Sequence, residues 1–599
     1  VTKEERDKRE AEKRARMEGS PDIGGVTLPF SRNTLLKVFW AFAIFYPIYT
    51  LWSARQDLSF ELFFSGMVLY LACLLPAWFW CTGRIQGLPI YPIFAISFLP
   101  KYLTPLWQGH TLLVQYTLLE IATAAWTVAG CLLIGMLFWQ QMAVRSVGVP
   151  QAVRMINLKR AENILLWCVF GELLFESLML LLYQFGSGGF SAIRGFATAA
   201  GRMGIFVFCY QIGQGEISPF KKTVFLLMLS VIVVQETASL VLATVIPTVG
   251  LAFAAYVLGS GKVPWKVMAG TLAVLTVLHA GKFEMREKYL FSEDARQAAW
   301  HEYPAYFTEW VEHGVRNLGM GKPGEERREV SSVKERGSLI HLMVMIQTMT
   351  PAKVPFLEGE SYKFIPALLI PRILSPGKAW SHTGNMMLSL HYGILSEEGI
   401  WKTSVGFDPV MEAYANYGYL GVLVLAVIIG FFLGWATRLT IHVPMLSFGF
   451  MFGVLIIGTA ISSFNTMGVY VTSTWQSFLA LAALSLVLMS KENNPVWKYY
   501  AVKLAEKLRL RPDPKLAKTL DEVSSVLAQD EREKDIGYRI SDIERDSGVK
   551  GLREEKKEEA GLALGISPNP QSPIPDPAAT AAVRHERPTR FVYGQKQNS

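Results

Sequence analysis

Charge is scarce in this 599-residue chain: Asp, Glu, Lys and Arg make up only 18% of it, against about 25% in ordinary soluble domains. Too few polar groups are present to solvate a globular surface of this size. The chain also lacks a P-loop, a Gly-x-Gly-x-x-Gly turn and any Cys/His spacing suited to a metal, so no nucleotide or metal cofactor is expected. No internal repeat is visible, which argues against the duplicated halves of many transporters. Cysteine is rare, and Cys73, Cys81, Cys131, Cys168 and Cys209 all lie in or beside apolar runs. They read as small buried hydrophobes. The first thirty residues are charged and have no apolar core, so no cleavable signal peptide is expected.

In place of charge there is apolar length. Hydrophobic residues make up 51% of the chain, with mean hydropathy +0.27. Apolar runs recur at about 20 residues, the length that crosses a bilayer. The chain therefore reads as an all-α polytopic membrane protein of about 12 transmembrane helices. Spans are expected near 35–52, 60–81, 88–106, 113–139 and 162–184, with a weaker one near 203–214. Residues 223–258 suit two short spans turning near Gln235-Glu236, and a further span covers 264–280. Three more lie at 417–437, 443–463 and 469–490.

The net charge of +8 reflects loop cations on one side of a membrane, not nucleic-acid binding. Arg145, Arg154, Lys159 and Arg160, then Lys221 and Lys222, then Lys262 and Lys266 fall in alternate connections, as do Arg438 and Lys491. All share the side of the N-terminus, so both termini are expected in the cytoplasm. The parity requires the weak span and the Gln235 hairpin. The resulting organisation is a charged cytoplasmic tail (1–33), a bundle of about nine spans (34–280), a large extracytoplasmic loop (281–416) and three further spans (417–490). A cytoplasmic amphipathic region (491–535) and a mostly disordered tail (536–599) follow.

A loop as long as 281–416 is normally functional. Lys282 and Arg286 open it directly beyond a span. Arg372 stands between Pro371 and Pro376, which stiffen its backbone, and its planar fork suits a phosphate. Lys378 adds a point charge, and the same cations could instead snorkel to lipid head groups. Glu412 and Asn416 share a helical face, with Tyr414 between them. A carboxylate at a membrane rim suits a general base, and a helix N-terminal carboxylate favoured by the dipole is the plainer alternative. His382 is an acid/base candidate, although a loop histidine is more often structural. Arg194 and Arg202 lie in what reads as a Gly/Ala-rich outer loop (186–202), where they could hold a second anion. Glu236 is an intramembrane carboxylate near a hairpin and so a candidate by position. Residues 338–349 and 364–374 carry apolar faces that could lie on the membrane or pack under the loop.

These residues resemble the O-antigen polymerase-like, Wzy-type family of oligosaccharide repeat-unit polymerases. The matching text is Lys282…Arg286, then Thr350-Pro351…Pro355…Gly359-Glu360-Ser361-Tyr362. It continues with Ile370-Pro371-Arg372-Ile-Leu-Ser-Pro376-Gly-Lys378, Tyr392-Gly393 and Glu412-Ala-Tyr414-Ala-Asn416-Tyr417-Gly418. Ala379 stands where the family version has proline, and Ser361 where it often has threonine.

The resemblance implies a membrane-embedded, GT-C-like glycosyltransferase of the bacterial inner membrane, active at its outer face. A growing glycan would pass from undecaprenyl diphosphate to an incoming lipid-linked repeat unit. Arg372 would stabilise the leaving diphosphate, with Lys378, Lys282, Arg286 and Arg194 in support. Glu412 would be the base, with His382 and Glu360 in reserve, while Tyr414, Asn416, Glu360 and Tyr362 would orient sugars. The lipid bilayer, a chain-length regulator and other envelope polysaccharide assembly proteins are the implied partners. An O-antigen ligase-like transferase and a lipid-linked glycan flippase are the rival readings.

Overall fold

The computed structural model describes residues 22–23, 26–27, 32–52, 58–144, 149–182, 190–291, 298–320, 338–370, 374–375, 377–402, 404–461 and 465–494, and the chain there is mostly helical. The helices that build the fold are α1 (Arg32–Trp52), α2 (Phe60–Cys81), α3 (Leu118–Val144), α4 (Leu158–Leu182), α5 (Phe190–Gln214), α6 (Pro219–Ala238) and α7 (Leu242–Ser260). They continue with α8 (Trp265–Ala280), α9 (Tyr303–Val315), α10 (Ile340–Met349), α11 (Thr383–His391), α12 (Pro409–Leu439), α13 (Phe448–Ile461) and α14 (Met467–Leu488). Five of these, α1, α2, α3, α12 and α14, are long and apolar enough to cross a membrane, while α8, α10, α13 and most of α7 are shorter apolar helices.

Local chemistry sets the helix starts. Ser218 caps α6 by accepting from the Lys221 N–H, and Asp408 caps α12 by accepting from the Met411 N–H at 2.8 Å. Proline follows each cap, where its missing N–H costs nothing. Between lipid-soluble helices the hydrophobic effect gives little net attraction, so close backbone packing holds them together. The α3–α12 seam shows this: a methyl group at Gly430 would stand 2.3 Å from the Gly135 carbonyl oxygen. Along the same seam the Trp139 Nε1–H donates to Thr437 Oγ1 at 3.1 Å.

The expected weak span and the hairpin are both helical. The weak span is much longer than its apolar stretch suggested, because α5 begins at Phe190. Residues 190–202 are therefore helix rather than outer loop. The small residues there serve helix packing: a methyl group at Gly201 would meet the Glu172 carboxylate of α4, and one at Gly195 would meet Gln476 of α14. The hairpin turns at Ser239–Val241, a few residues beyond Gln235.

The expected span 88–106 is instead broken into a short helix (Ile90–Ile96), a π-helical turn (Leu99–Leu103) and another short helix (Thr104–Gln108). Pro100 and Pro105 have no N–H for an unbroken ladder. Of the two expectations for residues 338–349, packing within the protein fits: Ile340–Met349 forms α10, where Ile340, Met343, Val344 and Ile346 are fully buried.

One end of the bundle gathers the loop cations. β1 (Ala152–Ile156) pairs antiparallel with β2 (Met489–Asn493), which places Arg154 directly opposite Lys491. Lys221 joins Glu162 of α4 at 2.5 Å. Arg154, Lys221 and Lys491 are thus gathered as the charge pattern required. β2 takes the last two residues of the expected span 469–490 and continues to Asn493, because its backbone groups find partners distant in sequence. The remainder of 491–599, with most of 1–33, lies outside the described residues. Cys73, Cys81, Cys131 and Cys209 are buried free thiols, as read from their apolar surroundings.

Candidate functional site

Two polar assemblies lie at the opposite end from β1 and β2. The first is a clasp built on α12, which begins at Pro409 rather than after Gly418 and breaks at Tyr417 and Gly418. Gly418 has φ +60° and ψ −144°, a conformation that favours glycine. The break frees the carbonyls of Ala415 and Asn416, and the turn at 357–359 takes them up. The Leu357 N–H donates to Ala415 at 3.0 Å and the Glu358 N–H to Asn416 at 3.2 Å.

The Asn416 side chain completes the join. Its Oδ1 accepts from the Gly359 N–H at 2.9 Å, and its Nδ2 donates to Ser361 Oγ at 2.8 Å and to the Glu412 carbonyl at 2.7 Å. Gly359 has φ +89° and lies against the Tyr417 hydroxyl, which leaves no room for a side chain. Two separated pieces of the sequence motif, 359–362 and 412–418, are therefore one structural unit. Thr350 Oγ1 joins the Tyr392 hydroxyl at 2.7 Å and links two more pieces.

Glu412 lies inside the clasp and is fully buried. Its Oε2 accepts from the Met467 N–H at 2.6 Å, at the first turn of α14. Its Oε1 has no hydrogen-bond partner by geometry among the described residues, and it faces Gly384 together with Thr466 Oγ1. Tyr414 packs edge-on against Tyr419. Tyr362 is half-buried, and burial and the neighbouring Glu412 hold its hydroxyl proton well above the ordinary range. Glu360 is exposed and pairs with Lys363. His382 precedes α11, close to Trp380, and burial lowers its affinity for a second proton.

The second assembly is a cavity of about 1290 Å³. Its walls come from the first half of α5, the α6–α7 hairpin, the broken segment near Lys101, residues 378–381, the second half of α13 and the first half of α14. Lys101, Arg194, Arg202 and Lys378 line it, against the carboxylates Glu172 and Glu236. Arg202 stands halfway along α5, about 18 Å from either end at 1.5 Å per residue, so the cavity reaches deep between the helices. Glu236 accepts from Thr248 Oγ1 at 3.0 Å, which also ties α6 to α7.

Lys101 connects this cavity to α12. It lies on the π-helical turn and interacts electrostatically with Asp408, and Asp408 accepts the hydroxyl of Tyr102. Burial pushes the Asp408 carboxyl up to about 6, the Tyr102 hydroxyl and the Met411 N–H opposing the rise only in part.

The cations marked in the sequence thus separate. Arg194 and Lys378 border the cavity; the Lys378 ammonium also donates to the carbonyls of Leu368, at 2.9 Å, and Ile370. Lys282 and Arg286 lie instead on a short helix whose Met285 packs in a separate small core with Leu278, Tyr306 and Trp310. Arg372 lies outside the described residues. Lys101 and Glu172 were not selected from the sequence, although a charge inside an apolar run is itself a functional signal.

Neither curated proteins nor solved structures give a match to this chain. Residues 338–492, which hold the clasp, α14 and several of the cavity's walls, match the family model described as O-antigen polysaccharide polymerase Wzy, in agreement with the resemblance carried by the motif.

Proposed function

We propose that this protein is a polysaccharide polymerase that moves a growing glycan from undecaprenyl diphosphate onto an incoming lipid-linked repeat unit at the outer face of the inner membrane. The observation that carries the reading is the cavity, where Lys101, Arg194, Arg202 and Lys378 converge between apolar helices. Departure of a diphosphate builds negative charge. Cations fixed in a low-dielectric site stabilise it more strongly than water-exposed ones do.

In this scheme the arginines of α5 grip the diphosphate, and Lys101 and Lys378 approach from the other walls. Arg372 remains a further candidate guanidinium. Glu236, on the α6–α7 hairpin, is the carboxylate we assign as base for the acceptor hydroxyl. Glu412, which also holds the start of α14 in place, remains the second candidate base.

The test is a strain without this protein, from which lipid-linked glycans are extracted and sized by leaflet. Single repeat units on the outer leaflet, with long polysaccharide gone, are the expected result. Units held on the inner leaflet would mean transport, and long chains retained on their carrier would mean a ligase-like transfer. Either of these overturns the polymerase reading.

A further inference from the structure

One face of α14 is polar along a helix otherwise apolar enough to cross a membrane. Thr472, Ser473, Gln476 and Ser477 fall at helical spacing, and all four border the cavity. Thr472 is satisfied internally, its hydroxyl donating to the Gly468 carbonyl at 2.7 Å. Ser473, Gln476 and Ser477 make no side-chain hydrogen bond among the described residues, and an amide and two hydroxyls thus border the cavity, the amide of Gln476 lying against Gly195 of α5. Uncharged donors and acceptors of this kind are costly beside lipid and serve no diphosphate as well as a cation would.

Two aromatic side chains border the same cavity. Trp380 is 42% exposed. Tyr303 enters from the start of α9, with Trp300 stacked on it at 5.7 Å.

We propose that the α14 face Thr472, Ser473, Gln476 and Ser477, together with Trp380 and Tyr303, is the subsite for the sugar residues next to the diphosphate. A pyranose offers hydroxyls around its edge and C–H groups on its faces. Amides and hydroxyls match the edge, and aromatic rings match the faces. The cationic wall on α5 and the uncharged wall on α14 thus divide one ligand between them. This inference rests on the diphosphate reading of the cavity.

The test measures binding of two probes to the full-length protein in lipid nanodiscs: undecaprenyl diphosphate, and the glycan-bearing carrier extracted from the same bacterium. Trp380→Ala and Gln476→Leu are each expected to weaken the glycan-bearing carrier about five- to tenfold, the effect of one lost neutral contact. Undecaprenyl diphosphate should bind both variants within about twofold of the wild type, and Trp380→Phe should restore most of the loss. Equal weakening of both probes, or no weakening of either, overturns the subsite while leaving the diphosphate reading standing. Failure of the wild type to bind undecaprenyl diphosphate at all overturns the diphosphate reading, and the subsite with it.

Discussion

The clasp and the cavity are built from similar residue types and treat them in opposite ways. In the clasp, polar groups are turned inward: Asn416 spends its amide on Gly359, Ser361 and Glu412, and Glu412 holds the Met467 N–H. In the cavity, Gln476 and Ser473 line the same space as Arg194 and Arg202. The motif text that stands out in the sequence falls mainly in the clasp, while most of the charges lining the cavity come from helices outside the matched stretch. Gly359, Asn416 and Gly418 are what the broken helix needs in order to satisfy its freed carbonyls. Chemistry can then be placed beside it by other parts of the chain.

The largest expected effect separates the two regions directly. Arg194→Ala and Arg202→Ala should each lower polymer formation from purified lipid-linked units by about 100-fold or more, as removal of a fixed charge-stabilising group does. Membrane yield and thermal stability should stay near those of the wild type. Near-normal polymerisation in both variants would remove α5 from the site and return attention to the clasp.

Asn416→Ala should do the reverse. It leaves the part-buried Gly359 N–H without its acceptor and removes two further, buried hydrogen bonds, a destabilisation of about 3 kcal/mol. Thermal unfolding in detergent reads this directly, and specific activity of the folded fraction should change little. Unchanged stability with lost activity would make Asn416 part of the chemistry.

The smallest effect concerns Asp408, the residue between the two regions. Its folded pKa of about 6 lies above the ordinary 3.8 because of burial, despite the Tyr102 and Met411 hydrogen bonds. Between about pH 4 and 6 the folded chain keeps a proton that the unfolded chain has lost, so stability falls as pH rises through that window and levels off above it. Asp408→Asn should flatten this part of the stability profile. A profile of the same slope in the variant would assign the dependence to other groups.

Much of the molecule was legible from the residues alone. Apolar runs marked nearly every long helix, and alternating loop charges placed Arg154 and Lys491 at one end, where they are strand partners. The i, i+4 spacing put Glu412 and Asn416 on one helical face, and their contact at 2.7 Å follows from it. Arg194 and Arg202 were visible as a pair of cations, although glycines that serve packing against Glu172 and Gln476 made their helix read as a loop.

By itself the sequence determined the fold class, because a low charge content and repeated apolar runs leave few alternatives to membrane-spanning helices. It also determined the family text, because the turn at Gly359 and the break at Gly418 require those residues locally. Tertiary structure alone decided which charges meet. Lys101, Arg202, Lys378 and Gln476 are far apart along the chain, and their convergence on one cavity depends on how broken and close-packed helices approach one another. Local periodicity and spacing carry no record of that approach.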